Sequence, residues 1–307
     1  MWPKRLNPKP KFTSARGRKH WGLPAGQAKD LEAELETTLG VAGIGMQTTG
    51  RKIHLRWREG HETSRDLVPL LEKISAGAPV QATVDVFVSN IIRTETDTMA
   101  RGLSLSEFYR GAYLHLDAKR GGEWGSFSFD LARYLVVGNA GSYLRLPAHV
   151  VREIDDDIPT ILGIARRNLF QALDNAEVDV QRRRSGPGGE YAYVLRCSSP
   201  HWSSAPIFLD WCVQRFIPGE DFSAGILFAV PQPDMALFRP VTYGDDLAEG
   251  MATMAGAALT LFASDKRGIS PRLHVSVEEE IHTISDVTDN SYLLYPTDYL
   301  VSRIKGT

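Results

Sequence analysis

Twice in its C-terminal half the chain repeats one arrangement: two apolar runs joined by a turn, a linker, consecutive aspartates and a helical stripe. The first copy is "LVVGNAGSYLRL" followed by "DDDIPTILGIARRNLFQAL". The second is "GILFAVPQPDMALF" followed by "DDLAEGMATMAGAALTLFAS". Apolar runs flanking Gly138-Asn139-Ala140-Gly141 or Pro231-Gln232-Pro233-Asp234 read as β-hairpins. A hairpin buries one face, and the helix that follows supplies an apolar stripe to cover it. The arrangement predicts an α+β fold of repeated hairpin-plus-helix units, with mixed or antiparallel sheets and helices packed on one face. The halves are alike in pattern, although short ββα runs also recur by chance.

The flanking residues sharpen this reading. Asp157 is placed to cap the first helix, and Pro159 lies in the first turn, where its missing N–H costs nothing. Ile158, Leu162, Ala165, Leu169 and Leu173 form one apolar stripe. In the second helix, the Ala/Gly-rich stretch 251–263 predicts close approach of helix to sheet. It does not indicate a cofactor box. Pro231 and Pro233 fix φ and remove donors, so 231–234 reads as the rigid connector of its hairpin. "VDVQRRR" and "EYAYVLRC" flank a further turn at 185–189. Residues 205–216 read as a helix, and "SPRLHVSV" and "YLLYP" as strands.

Upstream, Leu31, Leu35 and Leu39 recur every four residues before Gly40, as in a helix. "GIGMQTTGRKIHLRWREG" reads as a hairpin turning at 48–51, and "SRDLVPLLEKISAG" as a helix ended by Gly77. In "VQATVDVFVSNII", Val80, Ala82, Val84, Val86 and Val88 alternate as in a strand. Residues 104–116 read as a helix and 119–125 as a loop. The expected organisation is a basic tail at 1–26, an α+β domain at 27–130 and a second at 131–307.

Of the 307 residues, 43% are hydrophobic and 23% charged, the composition of an ordinary soluble globular protein with a core of its own. Two cysteines, Cys197 and Cys212, suit a reducing compartment, where disulfides are rare. The longest small-and-apolar stretch, 251–263, falls short of the ~20 residues that span a bilayer. No signal peptide is visible, so a cytoplasmic setting is expected, without a membrane partner. Net charge is −2, but residues 1–19 hold Lys4, Arg5, Lys9, Lys11, Arg16, Arg18 and Lys19 and no acid. This Pro-, Ser- and Gly-rich tail cannot bury a core. It is either a solvated extension or an arm for nucleic acid or another acidic surface.

Four stretches in 134–282 carry a resemblance. They are "YLVVGNAGSYLRLP"; "ILGIARRNLFQAL", with Ala165, Asn168 and Leu169; "GILFAVPQPDMALF", with Ala229, Pro231 and Asp234; and "ISPRLHV". Their order and residues resemble the YtpQ-like family of bacterial proteins, a domain of unknown function. The resemblance covers roughly half of the chain. It implies an α+β fold and a bacterial cytoplasmic setting, and no activity. Pro233 stands where the family has a basic residue, which argues against a role needing a cation beside Asp234.

No Walker loop, Gly-x-Gly-x-x-Gly, His-Glu-x-x-His, Cys-x-x-Cys or Gly-x-Ser-x-Gly occurs, and no cofactor or metal is expected. Three constellations remain. Asp85, Asp130 and Asp234, in or beside apolar strands, are a pattern used for Mg²⁺ or acid–base work. More often such residues cap turns or face solvent. Cys197, His201 and Cys212 offer soft ligands without zinc spacing; a core cysteine and a surface histidine are the ordinary outcome. Arg182, Arg183 and Arg184 before "SGPGG" have the chemistry to grip phosphate, although a solvated hairpin tip is more usual. His201 and Trp202 in "SSPHWSS" read as an exposed loop open to a partner. The reading that follows is a non-enzymatic binding or adaptor protein, with Arg182, Arg183, Arg184, His201, Trp202 and Asp234 as contacts and another protein as partner. The alternatives are a metal-dependent hydrolase or nuclease on the three aspartates, and nucleic-acid binding through the tail.

Overall fold

The computed structural model describes residues 21–306 apart from 43, 58–61, 120–123, 140–141, 185–190, 266 and 289–290. The basic tail, save its last six residues, and the 185–189 turn lie outside the described residues. The chain divides into two compact units between Thr98 and Met99. At the boundary expected at 130/131, strands lying on either side of it pair from Ala112↔Val137 to Ala118↔Leu131.

The first unit begins with α1 (Ala25–Val41), then a three-stranded antiparallel sheet of β1 (Gly45–Thr49), β2 (Lys52–Arg56) and β3 (Glu62–Asp66), then α2 (Val68–Ser75) and α3 (Val80–Arg101). Leu31, Leu35 and Leu39 are fully buried, one turn apart, among Ile53, Leu55, Leu70 and Ile74. Trp21 Nε1 donates to Gly50 O at the β1–β2 turn, 3.0 Å. The segment 80–92, expected as a strand, is the start of α3. Its buried residues are Val84, Val88 and Ile91, at helical spacing, while Val86 is 54% exposed. The valine alternation coincided with a helical stripe, and packing on the leucine core selected the helix over local β propensity.

The second unit starts with α4 (Leu105–Gly111). Ser104 and Glu107 bond each other's backbone N–H in a capping box. The helix expected over 104–116 ends at Gly111, and β4 (Ala112–Ala118) follows. β4 pairs antiparallel with β6 (Leu131–Asn139), from Ala112↔Val137 to Ala118↔Leu131. β5 (Gly125–Ser126) and β7 (Ser142–Arg145) also pair with β6. After α5 (Ala148–Ile154) comes α6 (Ile158–Asp174), capped as expected by Asp157, whose carboxylate accepts from Thr160 N. Its buried stripe is Ile161, Ala165, Leu169 and Leu173. Asn168 Nδ2 donates to Tyr109 O and Ala112 O, 2.9 and 2.8 Å, which pins α6 to the α4–β4 junction.

β8 (Val178–Arg184) and β9 (Tyr191–Cys197) form the next hairpin. A 3₁₀ turn (Trp202–Phe208) precedes α7 (Leu209–Phe216). Then come β10 (Ile226–Gln232), β11 (Met235–Pro240) and α8 (Gly244–Ser264). The remaining elements are β12 (His274–Val277), β13 (Glu280–Thr283), β14 (Ser285–Thr288), β15 (Ser291–Leu294) and α9 (Asp298–Lys305). Six of these strands make one antiparallel sheet, ordered β13-β12-β10-β11-β9-β8. The expected connector 231–234 shrinks to Pro233-Asp234. Pro231 and Gln232 belong to central β10, at a register shift between Ala229 and Gln232. The shift accommodates a proline that has no ladder N–H. By length and composition α8 meets the criterion for a membrane span, with mean hydropathy 1.2. Core helices meet it too, and α8 packs on β10.

Strand alternation gives this sheet two different faces. Phe238, paired with Phe228 and Tyr193, points into a large core shared with α6, α7 and the β4–β6 sheet. Leu237, paired with Ala229 and Val194, points to α8.

Candidate functional site

α8 packs on β10 and reaches β9 but stops short of β8, the edge strand. Between helix and edge lies a groove of about 670 Å³, a volume usual for ligand pockets. Its floor is Ala192, Val194 and Leu237 from the sheet. Its helical wall is Ala252, Thr253, Gly256, Ala257 and Thr260, with the Tyr292 ring beside Gly256. Only 33% of the apolar stretch of α8 is buried, so the small residues that allow close packing on one side are left half-open on the other. Gly256 has room: a Cβ there would meet Tyr292 at 3.5 Å.

The helix is held in place by one buried cation. Arg239 on β11 is fully buried; its Nη1 donates to Tyr191 O and its Nη2 to Asp246 O and Oδ2, at 2.7, 2.8 and 2.6 Å. Its Nε has no partner among the described residues. Partial burial pushes the Asp246 carboxyl up, but the neighbouring Thr242 hydroxyl and the Arg239 guanidinium outweigh this and leave it below its ordinary value. The guanidinium lies under Gly250, where a Cβ would fall 2.4 Å from Cζ. Gln232 Nε2 ties the other end of α8, donating to Leu261 O and Ser264 Oγ.

The arginine run expected to act together is divided by the period-2 alternation of β8. Arg182, paired with Tyr193, lies on the core face, 3.8 Å over the Tyr191 ring and 3.6 Å from Glu220. Glu220 also accepts from Tyr191 Oη and Tyr193 Oη, 2.9 and 2.5 Å. Burial, then this carboxylate, pushes Tyr193 up to about 12. Arg184 alternates to the same face as Arg182. Arg183, paired with Ala192, faces the groove and lines it, and its Nη2 donates to Gln181 Oε1.

His201 and Trp202, expected in an exposed loop, are buried. Trp202 is fully enclosed, with Nε1 donating to Leu195 O and its ring edge-on to Phe216 at 5.6 Å. His201 Nδ1 lies 3.2 Å from Tyr143 Oη, and its ring lies 4.1 Å from that of Tyr113. Burial lowers its pKa to about 4. His115, with Ser204 Oγ 3.3 Å from Nδ1, is lowered by burial to about 4 as well. The apolar segment 205–208 draws 201–204 into the core, which a loop reading of "SSPHWSS" does not show.

The aspartates take separate roles. Asp85 is exposed on α3 rather than on a strand. Asp234 is exposed in the β10–β11 turn, where its carbonyl accepts from Cys197 N. Asp130 is bound by neighbours: Ser270 Oγ donates to its Oδ2 at 2.5 Å, Arg272 Nη1 lies at 3.5 Å, and His274 Nε2 lies 3.8 Å from Oδ1. Among the described residues no three His, Cys, Asp or Glu side chains group to hold a metal ion. Cys197 and Cys212 are free and buried, and burial pushes the Cys212 thiol up to about 12, so neither is an activated nucleophile. The groove was missed because its signal, an Ala/Gly-rich helix, is also the signal of close packing.

Compared with protein-family models, curated proteins and solved structures, the chain matches none.

Proposed function

We propose that this is a non-enzymatic binding protein that takes an apolar body into the groove between α8 and the β8–β9 edge. One observation carries the reading. The groove is walled by small and aliphatic side chains, with Ala252, Thr253, Gly256 and Ala257 of its helix half-buried along it. A concave, mostly apolar lining with few polar groups is the form that binding pockets take. The pinned Arg239 keeps the wall rigid, so little ordering cost opposes binding. The YtpQ-like relationship belongs to the same proposal. It is supported by the structural work of motif residues Asn168 and Ser270. Two free buried thiols support the cytoplasmic placement.

The test is a titration of the full chain with a polarity-sensitive dye such as bis-ANS. Saturable binding is expected, lost in Ala257→Trp and reduced in Thr260→Trp, with circular dichroism showing both variants folded. Thr260 is exposed at the rim, so it decides the matter should the Ala257 variant fail to fold. Dye binding that is unchanged in a folded variant overturns the reading.

A further inference from the structure

Among the described residues the groove carries one formal charge, and this narrows what it takes. Arg183 is the one ionisable acid or base among the described residues lining it, other than the Tyr292 phenol. Arg182 and Arg184, its sequence neighbours, point to the opposite face by strand alternation, and Arg182 is occupied with Tyr191 and Glu220. Arg183 is exposed, and its side-chain hydrogen bond among the described residues goes to a neutral amide, Gln181 Oε1. Gln181 in turn donates to Asp179 Oδ2 at 2.6 Å, so that carboxylate is engaged one step away. The guanidinium fork keeps donors for a planar anion.

We infer that the groove binds a long-chain monocarboxylate, its carboxylate on Arg183 and its hydrocarbon along Ala252, Gly256, Ala257, Val194 and Leu237. This rests on the groove reading above. A single cation opposite a run of small and aliphatic residues complements a single negative head on an unbranched chain. A dianionic phosphate head would call for more than one cation. Thr253, Thr260 and the Tyr292 hydroxyl are neutral, so no described residue lining the groove repels an anion.

The inference is tested by calorimetric titration of the full chain with octanoate, decanoate, dodecanoate, dodecanol and dodecyl phosphate, all below their micelle concentrations. Each methylene buried is expected to tighten binding roughly fourfold. Because Arg183 is exposed, Arg183→Gln is expected to weaken dodecanoate by only about fivefold and to leave dodecanol unchanged. Raised salt should mimic the Gln variant. Dodecanol binding as well as dodecanoate, with no response to Arg183→Gln, overturns the carboxylate assignment while leaving an apolar groove. Tighter binding of dodecyl phosphate overturns it also. If dye and dodecanoate both ignore a folded Ala257→Trp or Thr260→Trp variant, the groove reading itself has failed.

Discussion

The two faces of the six-stranded sheet are made by the same strands and do different things. On one, Phe228, Phe238, Leu195 and His274 are sealed beneath Trp202, α6 and α7, and each of these four side chains is fully buried. On the other, α8 packs on β10 and reaches β9, and leaves a groove beside β8 floored by Ala192, Val194 and Leu237. The sealed face uses large rings and supplies stability. The open face uses small residues, which bring the helix near but cannot reach across to the edge strand. A protein that covers both faces of a sheet can thus reserve part of one for a ligand.

The largest effect should come from breaking the sealed face. Phe238→Ala removes a fully buried ring and is expected to cost about 3–5 kcal/mol in denaturant unfolding. A loss below about 1 kcal/mol would show that this face is not the stabilising one.

Next comes the clamp on the open face. At Gly250 a methyl group meets a guanidinium that cannot swing away, because Tyr191 O and Asp246 hold it. Gly250→Ala should cost about 1–3 kcal/mol through overpacking, more than the ~1 kcal/mol Ala ordinarily gains over Gly within a helix. A melting temperature that rises would refute the clamp.

Acid should act on the sealed face. His274 is fully buried, stacked on Phe228 at 5.1 Å, with Nδ1 3.1 Å from Thr283 Oγ1. Burial lowers its pKa from 6.5 to about 4, with Asp130 opposing the shift and Arg272 adding to it. Between those values the unfolded chain binds a proton that the folded chain refuses. Stability therefore falls as pH drops from about 6.5 to about 4. His115 and His201 have the same sign. His274→Gln should flatten this slope in part; an unchanged slope would remove His274 from the account.

The smallest effect, of opposite sign, belongs to Gly256, six residues along from Gly250 but open to the groove. Gly256→Ala meets only ordinary contact with Tyr292 and should stabilise by up to about 1 kcal/mol. If both glycine variants destabilise alike, the two halves of α8 are not different and the groove is not free space.

Much of this architecture was legible before folding. Asp157 and Pro159 announced α6, and turn residues marked the hairpins, because capping and turn chemistry are local. The functional side was legible only in part. Arg183 stood out within an arginine run, yet its separation from Arg182 and Arg184 depends on β8 being a strand. His201 and Trp202 looked like a surface loop because burial is decided by what packs above a segment.

The sequence alone determined the α+β class, the β1–β2, β6–β7, β8–β9 and β10–β11 hairpins, the α6 cap and the basic charge of residues 1–19, since periodicity, turn residues and charge act over a few positions. Tertiary structure decided that 80–92 is helix, that Pro231 sits in a central strand, that Arg239 is buried under Gly250, and that α8 leaves a groove. Each of these depends on which surfaces meet across the chain. A stripe of alanine and glycine says that something comes close; only the fold shows which side it is on and what space remains beside it.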